Sequence, residues 1–402
     1  MNKKLMAVAV AGVFAAPVAA FAQSSVTISG QLKGGFESLS YGSSNAARVG
    51  NHSTTGVADD SSALVFTILE DLGGGLQAEG RLDLRMSVDS GGQSANTAGN
   101  AAIGNTAGLA SASGNSHLGL KSKQWGTVFF GRQDLHYFNN ESNLTDKGSL
   151  RATSVALLSY VINPAGRSAP IANATRTGNV VYYKTPDFGP FWMIVAYSSN
   201  AAGAGGQETD IGATGRKGWA WNLNPNLSGA NWQVGYSYWK SKQDSGQAGN
   251  ASLTGDQRGD RLYGSYVWSG FKIGLAYDHS KVTGAFNGVV QNKRDVWSIP
   301  ASYTWGPHTI QGHYTWAQKD KAAQFNGLDT KANMWALSYA YELSKRTSAA
   351  FTYAKVNNHS AANYNVFAST SLGLDNGTAG AATGAMAGED PSIWAVTLRH
   401  AF

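Results

Sequence analysis

The chain has 402 residues and a formal net charge of +6; it is 42% hydrophobic and 11% aromatic, only 14% charged, has 49 glycines against 9 prolines, and contains no cysteine. Without cysteine, disulfides and thiolate chemistry are excluded, and the basic residues are too few and too scattered for a nucleic-acid stripe. The mean hydropathy of −0.24 argues against helical membrane spans but not against strands, because alternating lipid-facing and water-facing residues cancel in the average.

The first segment, MNKKLMAVAVAGVFAAPVAAFAQ, places Lys3 and Lys4 before an apolar run from Leu5 to Phe14 and ends in Ala20-Phe21-Ala22. That is the pattern of a secretory leader over 1–22, cleaved after Ala22, and its apolar run is too short to span a bilayer as a helix. The expected organisation is a leader, 1–22, followed by one domain, 23–402. Dropping Lys3 and Lys4 with the leader lowers the charge from +6 to +4.

Beyond the leader the dominant signal is alternation with a period of two. In GLQAEGRLDLRM, Leu76, Ala78, Gly80, Leu82, Leu84 and Met86 share one face, and Gln77, Glu79, Arg81, Asp83 and Arg85 the other. VTISGQLKGGFE divides the same way, with Val26, Ile28, Leu32 and Phe36 opposed to Thr27, Ser29, Gln31, Lys33 and Glu37. Sixteen segments follow the pattern: 25–37, 62–70, 75–86, 115–123, 125–132, 178–186, 190–199, 216–224, 230–241, 258–268, 270–281, 293–305, 307–319, 331–343, 346–357 and 391–402.

The connections alternate in length. After odd-numbered segments they are long and rich in Gly, Ser, Asn and Ala: 38–61, 87–114, 133–177, 200–215, 242–257, 282–292, 320–330 and 358–390. After even-numbered ones they are tight turns: DLGGGL, KQWG, DFGP, NPNLSG, WSG, TWGP and LSKR. Eight long loops at one end and seven turns at the other describe an antiparallel up-and-down meander with both chain ends on the turn side. The final segment, AVTLRHAF, alternates Val396, Leu398 and Phe402 around Arg399 to its last residue. An unpaired end is polar and frayed, so this one pairs with the strand that begins near Val26, and the sheet closes.

Strands of about ten residues tilted by about 45° cross a bilayer core, and closure leaves no edge with unpaired amides in lipid. Sixteen strands enclose a bore too wide for side chains to fill, so the interior is water. The expected fold is all-β, a 16-stranded antiparallel up-and-down transmembrane β-barrel. Trp125, Phe188, Phe191, Trp192, Trp268, Phe271, Tyr303, Trp305, Tyr339 and Tyr341 gather near the turns, where an interfacial girdle belongs, and Phe402 joins them.

Five stretches carry a family resemblance: QSSVTISGQL behind the leader, EDLGGGLQAEGRLDL, HLGLKSKQWGTVFFGRQ, RTGNVVYYKTPDFGPF and the terminal TLRHAF. Together they resemble the trimeric general porins of Gram-negative outer membranes, in their betaproteobacterial branch, over essentially the whole chain after the leader. The resemblance implies a homotrimer embedded in outer-membrane lipid and lipopolysaccharide, and a third loop folded inward to narrow the pore. It also implies passive diffusion of ions and small hydrophilic solutes, and a terminal Phe402 read by the barrel-assembly machinery as an insertion signal. Family members often carry arginine where this chain has Ser62, and another near the start of the fourth strand, where it reads GNSHLGL; a thinner ladder of arginines across the pore is implied.

The gap 133–177 is the longest and holds Asp134, Glu141, Asp146, Lys147, Arg151 and Arg167. A structureless loop of that length is usually functional, and a water-filled bore gives it somewhere to pack. The expected constriction places Glu141 and Asp146, with Arg151, opposite a basic wall of Lys33, Arg81 and Arg85. Arg132 and Arg176 assist where the loop leaves and returns. A transverse field between opposite charges orients dipolar solutes, and its net sign sets the favoured ion; the net basic chain predicts a mild preference for anions. Each residue has a plainer reading: Arg81 and Arg85 solvating the lumen, Arg132 pointing outward with Val128 and Phe130, and Glu141 and Asp146 as exposed loop charges. Arg258 and Arg261 near the mouth would attract anions or bind lipid headgroups.

No enzymatic pattern competes. The eight histidines, at 52, 117, 136, 279, 308, 313, 359 and 400, form no HExxH, and there is no GxSxG. The Gly-rich DLGGGL precedes no helix that would cradle a phosphate, and His136 beside Asp134 is the nearest approach to an acid–base pair. No cofactor, metal or nucleic acid is expected. The rival within the fold is a substrate-specific channel with a saturable site, for which Trp239 and Tyr263 are the inward aromatics available. The rival from another class is a secreted β-sandwich or lectin, which would bury its apolar face in a core.

Overall fold

A computed structural model describes residues 24–42, 52–59, 62–89, 92–93, 114–136, 161–163, 167–169, 176–199, 218–243, 254–284, 289–366 and 385–402. The expected leader, 1–22, lies outside them. The described chain forms β1 (Ser25–Ser40), β2 in two segments (Ser53–Asp59 and Ser62–Gly73), β3 (Leu76–Ser87), β4 (Ser116–Ser122), β5 (Gly126–Asp134), β6 (Arg176–Lys184), β7 (Phe191–Ser198) and β8 (Gly218–Ser228). The second half continues with β9 (Trp232–Gln243), β10 (Thr254–Trp268), β11 (Phe271–Gly284), β12 (Val290–Trp305), β13 (His308–Ala317), β14 (Ala332–Glu342), β15 (Thr347–Asn358) and β16 (Ser392–Ala401). Gly92–Gln93 is a two-residue return on the end of β3.

Every strand pairs antiparallel with the next, and β16 pairs with β1 from Gln31↔Ala401 to Ser40↔Ser392. The sheet is therefore a closed 16-stranded barrel, as the alternating gap lengths require. Turn chemistry fixes one rim. Between β10 and β11, Ser269 (φ 46°) and Gly270 (φ 86°) make a two-residue turn with positive φ at both positions, the twist that matches flanking strands. A side chain on Gly270 would also meet the Thr304 carbonyl at 2.6 Å.

Burial is inverted relative to a soluble sheet. Leu82, Leu118, Ile273 and Leu337 face outward and are 48–66% exposed, whereas Asn222, Ser237, Thr315 and Ser338 face inward and are buried. The apolar face is the outer surface, which removes the sandwich reading. Near the turns the rings of Trp268, Phe271, Tyr303, Trp305 and His308 stack in sequence around the rim, with centroids 4.1–6.3 Å apart.

Two boundaries differ from expectation for identifiable reasons. The polar stretch 38–61 reads as loop, yet Ser53–Asp59 ladder onto Gly34–Ser40 and lengthen the wall; Ser, Thr and Gly there take their order from the neighbouring backbone rather than from propensity. NPNLSG reads as a turn, yet β8 runs on to Ser228, with Asn226↔Gly235 and Ser228↔Gln233 in register. Pro225 has no N–H to donate, and Asn224 Nδ2 donates to the Tyr236 carbonyl, opposite it, at 2.8 Å.

The interior is not uniformly wet, contrary to the sequence reading. Inward positions Leu39, Val296, Met334, Val356 and Ile393 form one apolar cluster with Tyr41 and with Ala362, Tyr364, Val366 and Ala385 of the last long connection. Both shoulders of that connection thus fold onto the inner wall, so the third loop is not alone in turning inward.

Candidate channel constriction

The inward parity of β3 supplies the basic wall. Asp83 is buried, and it holds Arg85 through Nε at 2.7 Å and Nη2 at 2.8 Å, with Arg81 Nη2 at 3.9 Å. Two guanidiniums share one carboxylate, which leaves a single net positive charge on a short inward row. The Arg81 side chain is 35% exposed to the lumen and that of Arg85 18%. Gly114 makes room for this arrangement, because a Cβ there would lie 2.0 Å from the Asp83 carboxyl carbon. Lys33 lies inward on β1, largely buried; its N–H donates to Ser62 Oγ at 3.0 Å, and its register partner on β16 is Arg399.

A second cluster, not foreseen, joins β3 to β4 and β5. Glu79 accepts from His117 Nε2 at 3.0 Å and from the Lys121 ammonium, while Gln133 Nε2 donates to His117 Nδ1 at 2.6 Å. The His117 ring stacks on Phe129 at 3.9 Å. Every charge here has a partner, so the cluster stiffens the wall and offers no free cation.

The third loop meets the wall from β6 to β12. Leu135 packs with Val180, Ala196, Ala220, Trp239 and Val282, and His136 is fully buried, its Nδ1 2.9 Å from Ser237 Oγ and its Nε2 3.8 Å from Asp278 Oδ2. Asp278 accepts from Arg261 Nε at 3.0 Å. Gly259 permits the approach, since a Cβ there would lie 2.6 Å from His136 Nε2. Burial first, and the Arg261 charge second, push the imidazole well below its usual titration range and keep it neutral. Further along, Val161–Asn163 pair with Arg167–Ala169 as a short hairpin, and the first of these segments lies against β12. The described parts of the loop therefore lie against the inner wall.

Of the residues named from sequence, Lys33, Arg81 and Arg85 face the lumen. Arg132 pairs in register with Ser116, next to Leu118↔Phe130, on the outward parity of β5. Arg176 opens β6 opposite Asp134. Glu141, Asp146 and Arg151 lie outside the described residues. Arg258 is outward and Arg261 inward, so the two part company. Trp239 and Tyr263 are buried beneath polar and loop contacts rather than presented to the pore, with the Tyr263 hydroxyl donating to Asn226 Oδ1. Asp83 was visible on the inward row of β3; its role between two arginines follows from i±2 spacing on one face of a strand.

A wide closed barrel with a polar bore, a greasy outer belt and a loop packed against its inner wall is a diffusion channel of outer membranes. The model of the Gram-negative porin family matches residues 7–362, and the chain belongs to that family. An outer membrane porin protein of Bordetella pertussis is 28% identical over 393 residues, covering 87% of this chain and 92% of the relative. Among solved structures, the anion-selective porin from Comamonas acidovorans superposes with a TM-score of 0.70 at 21% identity, covering 94% of this chain and all of that one. OmpT of Vibrio cholerae in its trimer form gives 0.62 at 14%, over 94% and 99% of the two chains. The protein is an outer-membrane porin, and its barrel is a water-filled channel.

Proposed function

We propose that the channel passes ions and small hydrophilic solutes by diffusion with a mild preference for anions, set by Arg81, Arg85 and Lys33 on the wall. The carrying observation is the shared carboxylate: Asp83 cancels one of the two guanidinium charges on β3, holding Arg85 closely and leaving Arg81 at 3.9 Å. The anion-selective character of the Comamonas porin agrees with this reading. Glu141, Asp146 and Arg151 complete the constriction from the loop side, with Arg176 at its root, whereas Arg132, on the outward parity of β5, does not line it. The functional unit is a homotrimer in outer-membrane lipid and lipopolysaccharide, supported by the trimer form of OmpT, with Phe402 as the signal for the assembly machinery. A channel rather than an enzyme is favoured by the family and by the paired state of its inward charges.

Reversal potential across a planar bilayer under a salt gradient tests it. One unit charge at about 7 Å in water-like dielectric is worth about 0.6 kcal/mol, about threefold in favour of an anion and about threefold against a cation, and so about sevenfold in the anion-to-cation permeability ratio. Arg81→Ala should lower the ratio by about that factor, and Asp83→Asn should raise it. Unchanged potentials in both variants would remove this wall from the selectivity argument. Block by one solute, with conductance saturating in salt, would favour the substrate-specific channel instead.

A further inference from the structure

Three charged side chains of the inner wall are buried beneath both inward connections rather than presented to the lumen. Arg261 on β10 stands opposite Asp278 on β11, and Arg294 on β12 stands opposite Ser280, two residues along β11 on the same inward face. All three are at most 2% exposed. The third loop reaches this row through His136, whose Nε2 lies 3.8 Å from Asp278 Oδ2. The last long connection reaches it through Tyr364: the hydroxyl accepts from Arg294 Nη1 at 2.6 Å, and the ring centroid lies 5.2 Å from the guanidinium carbon. Two connections far apart in the chain thus end on neighbouring charges of adjacent strands.

The hydrogen bonding of this row leaves one acceptor and one donor over. Asp278 accepts Arg261 Nε on Oδ2, and among the described residues its buried Oδ1 accepts nothing. Arg294 donates Nε to Ser280 Oγ at 3.3 Å and Nη1 to Tyr364, and its buried Nη2 donates to nothing. The two groups are diagonal neighbours across one strand pair, a separation of about 7–8 Å that a long side chain can bridge, and Arg294 already lies within electrostatic reach of the Asp278 carboxylate. The other buried carboxylate nearby, Asp320, is committed to Asn292 Nδ2 and to the N–H groups of Lys293 and Ala322 at 2.9–3.1 Å. Burying a charge without its full complement of partners is costly, so the guanidinium and Oδ1 would each gain by meeting. The Tyr364 phenol is what holds the guanidinium away.

We propose that Arg294 is a two-position latch that couples the docking of the last connection to that of the third loop. With Tyr364 docked, the guanidinium is held by the phenol, and Asp278 is left to Arg261 and the His136 ring. When the shoulder lifts, Arg294 turns to Asp278 Oδ1; the carboxylate is drawn toward β12, away from Arg261 and His136, and the third loop's anchor loosens. Each connection therefore favours the other's docked state, and the element that carries the coupling has two discrete arrangements, as such coupling requires. The latch rests on the barrel being a channel with both connections on its inner wall, and it is independent of which ion the pore prefers.

Hydrogen exchange of the third-loop peptides, measured on the full detergent-folded protein, tests it. Tyr364→Ala, a change in the other connection, should speed that exchange about fivefold. In an Arg294→Met background the same substitution should add nothing, because no guanidinium is left to turn, while Arg294→Lys, which keeps the charge on a long stem, should restore the coupling. The heat-modifiable fraction on cold electrophoresis checks that each variant has closed its barrel, and a crystal structure of Tyr364→Ala supplies a second readout, with the Arg294 guanidinium expected within hydrogen-bond distance of Asp278 Oδ1. Third-loop exchange at the wild-type rate in Tyr364→Ala, an equal acceleration in the Arg294→Met background, or a guanidinium still turned toward the vacated phenol position would overturn the latch. Single-channel conductance of the same variants reports separately whether the shoulder narrows the path, so a failure of the channel reading and a failure of the latch are told apart.

Discussion

His136 is where the third loop leaves the wall, and its ring is the loop's anchor. Asp278, 3.8 Å away, is already engaged by Arg261, so the carboxylate offers little to a protonated imidazole, while burial and the guanidinium oppose one. The folded state therefore binds no proton here in a range where the unfolded chain does. The anchor's contribution is complete above the ordinary histidine value of about 6.5 and is lost as pH falls below it, by up to about 1.4 kcal/mol per pH unit. Protection of the third loop from protease should decline over that range, and His136→Asn should flatten the decline; an identical slope in the variant would place the titrating group elsewhere. The two clusters differ in how far sequence reveals them. Arg81, Asp83 and Arg85 share a face by period two and are legible in one heptapeptide, whereas His136 meets Ser237 101 residues away, a pairing that only barrel closure brings about.

At the scale of elements, the last long connection was the larger surprise. Its shoulders are stitched to the wall: Asn358 Nδ2 donates to the carbonyls of Tyr364 at 2.8 Å and Glu389 at 2.6 Å, Asn358 N–H donates to Asp390 Oδ1 at 2.8 Å, and Arg294 Nη1 donates to the Tyr364 hydroxyl at 2.6 Å. Burial raises the Tyr364 phenol and keeps it neutral. Truncating a buried aromatic costs about 3–5 kcal/mol, which is enough to release such a shoulder. Tyr364→Ala should raise single-channel conductance and its open-channel noise, while Tyr364→Phe, which keeps the ring, should leave conductance near wild type; no change in the alanine variant would mean that the shoulder does not narrow the path. One hint was present in the sequence. At the loop end of β14, Ala332, Met334 and Ala336 face inward while Trp335 and Leu337 face outward, and a strand apolar on both faces is covered on both. What covers the inner face was not legible, because the connection itself reads as polar loop.

For the molecule as a whole, the meander, its closure and the direction of its apolar face were legible from alternation and gap length alone, because lipid outside and water inside impose opposite demands on adjacent residues. The seam depends on a close contact between the chain's first and last strands. Gly30 N–H donates to the Phe402 carbonyl at 3.0 Å and Phe402 N–H to that of Gly30 at 3.1 Å, and a Cβ on Gly30 would lie 2.3 Å from the Ala63 carbonyl and 2.8 Å from the Phe402 ring. Gly30→Val should cost about 1–3 kcal/mol by overpacking and lower the fraction of heat-modifiable barrel on cold electrophoresis. Deletion of Phe402 should lower that fraction further, and a full yield of folded barrel from both variants would show that the seam tolerates disruption.

The two rims are built unequally, with clipped turns along one and long connections along the other. Residues added to a long connection need not disturb a single ladder bond, whereas residues added to a clipped turn must shift the pairing of two strands. Whatever the lineage alters cheaply is thus confined to one side of the membrane, and anything that attaches to or cleaves the protein from that side meets its most changeable parts first.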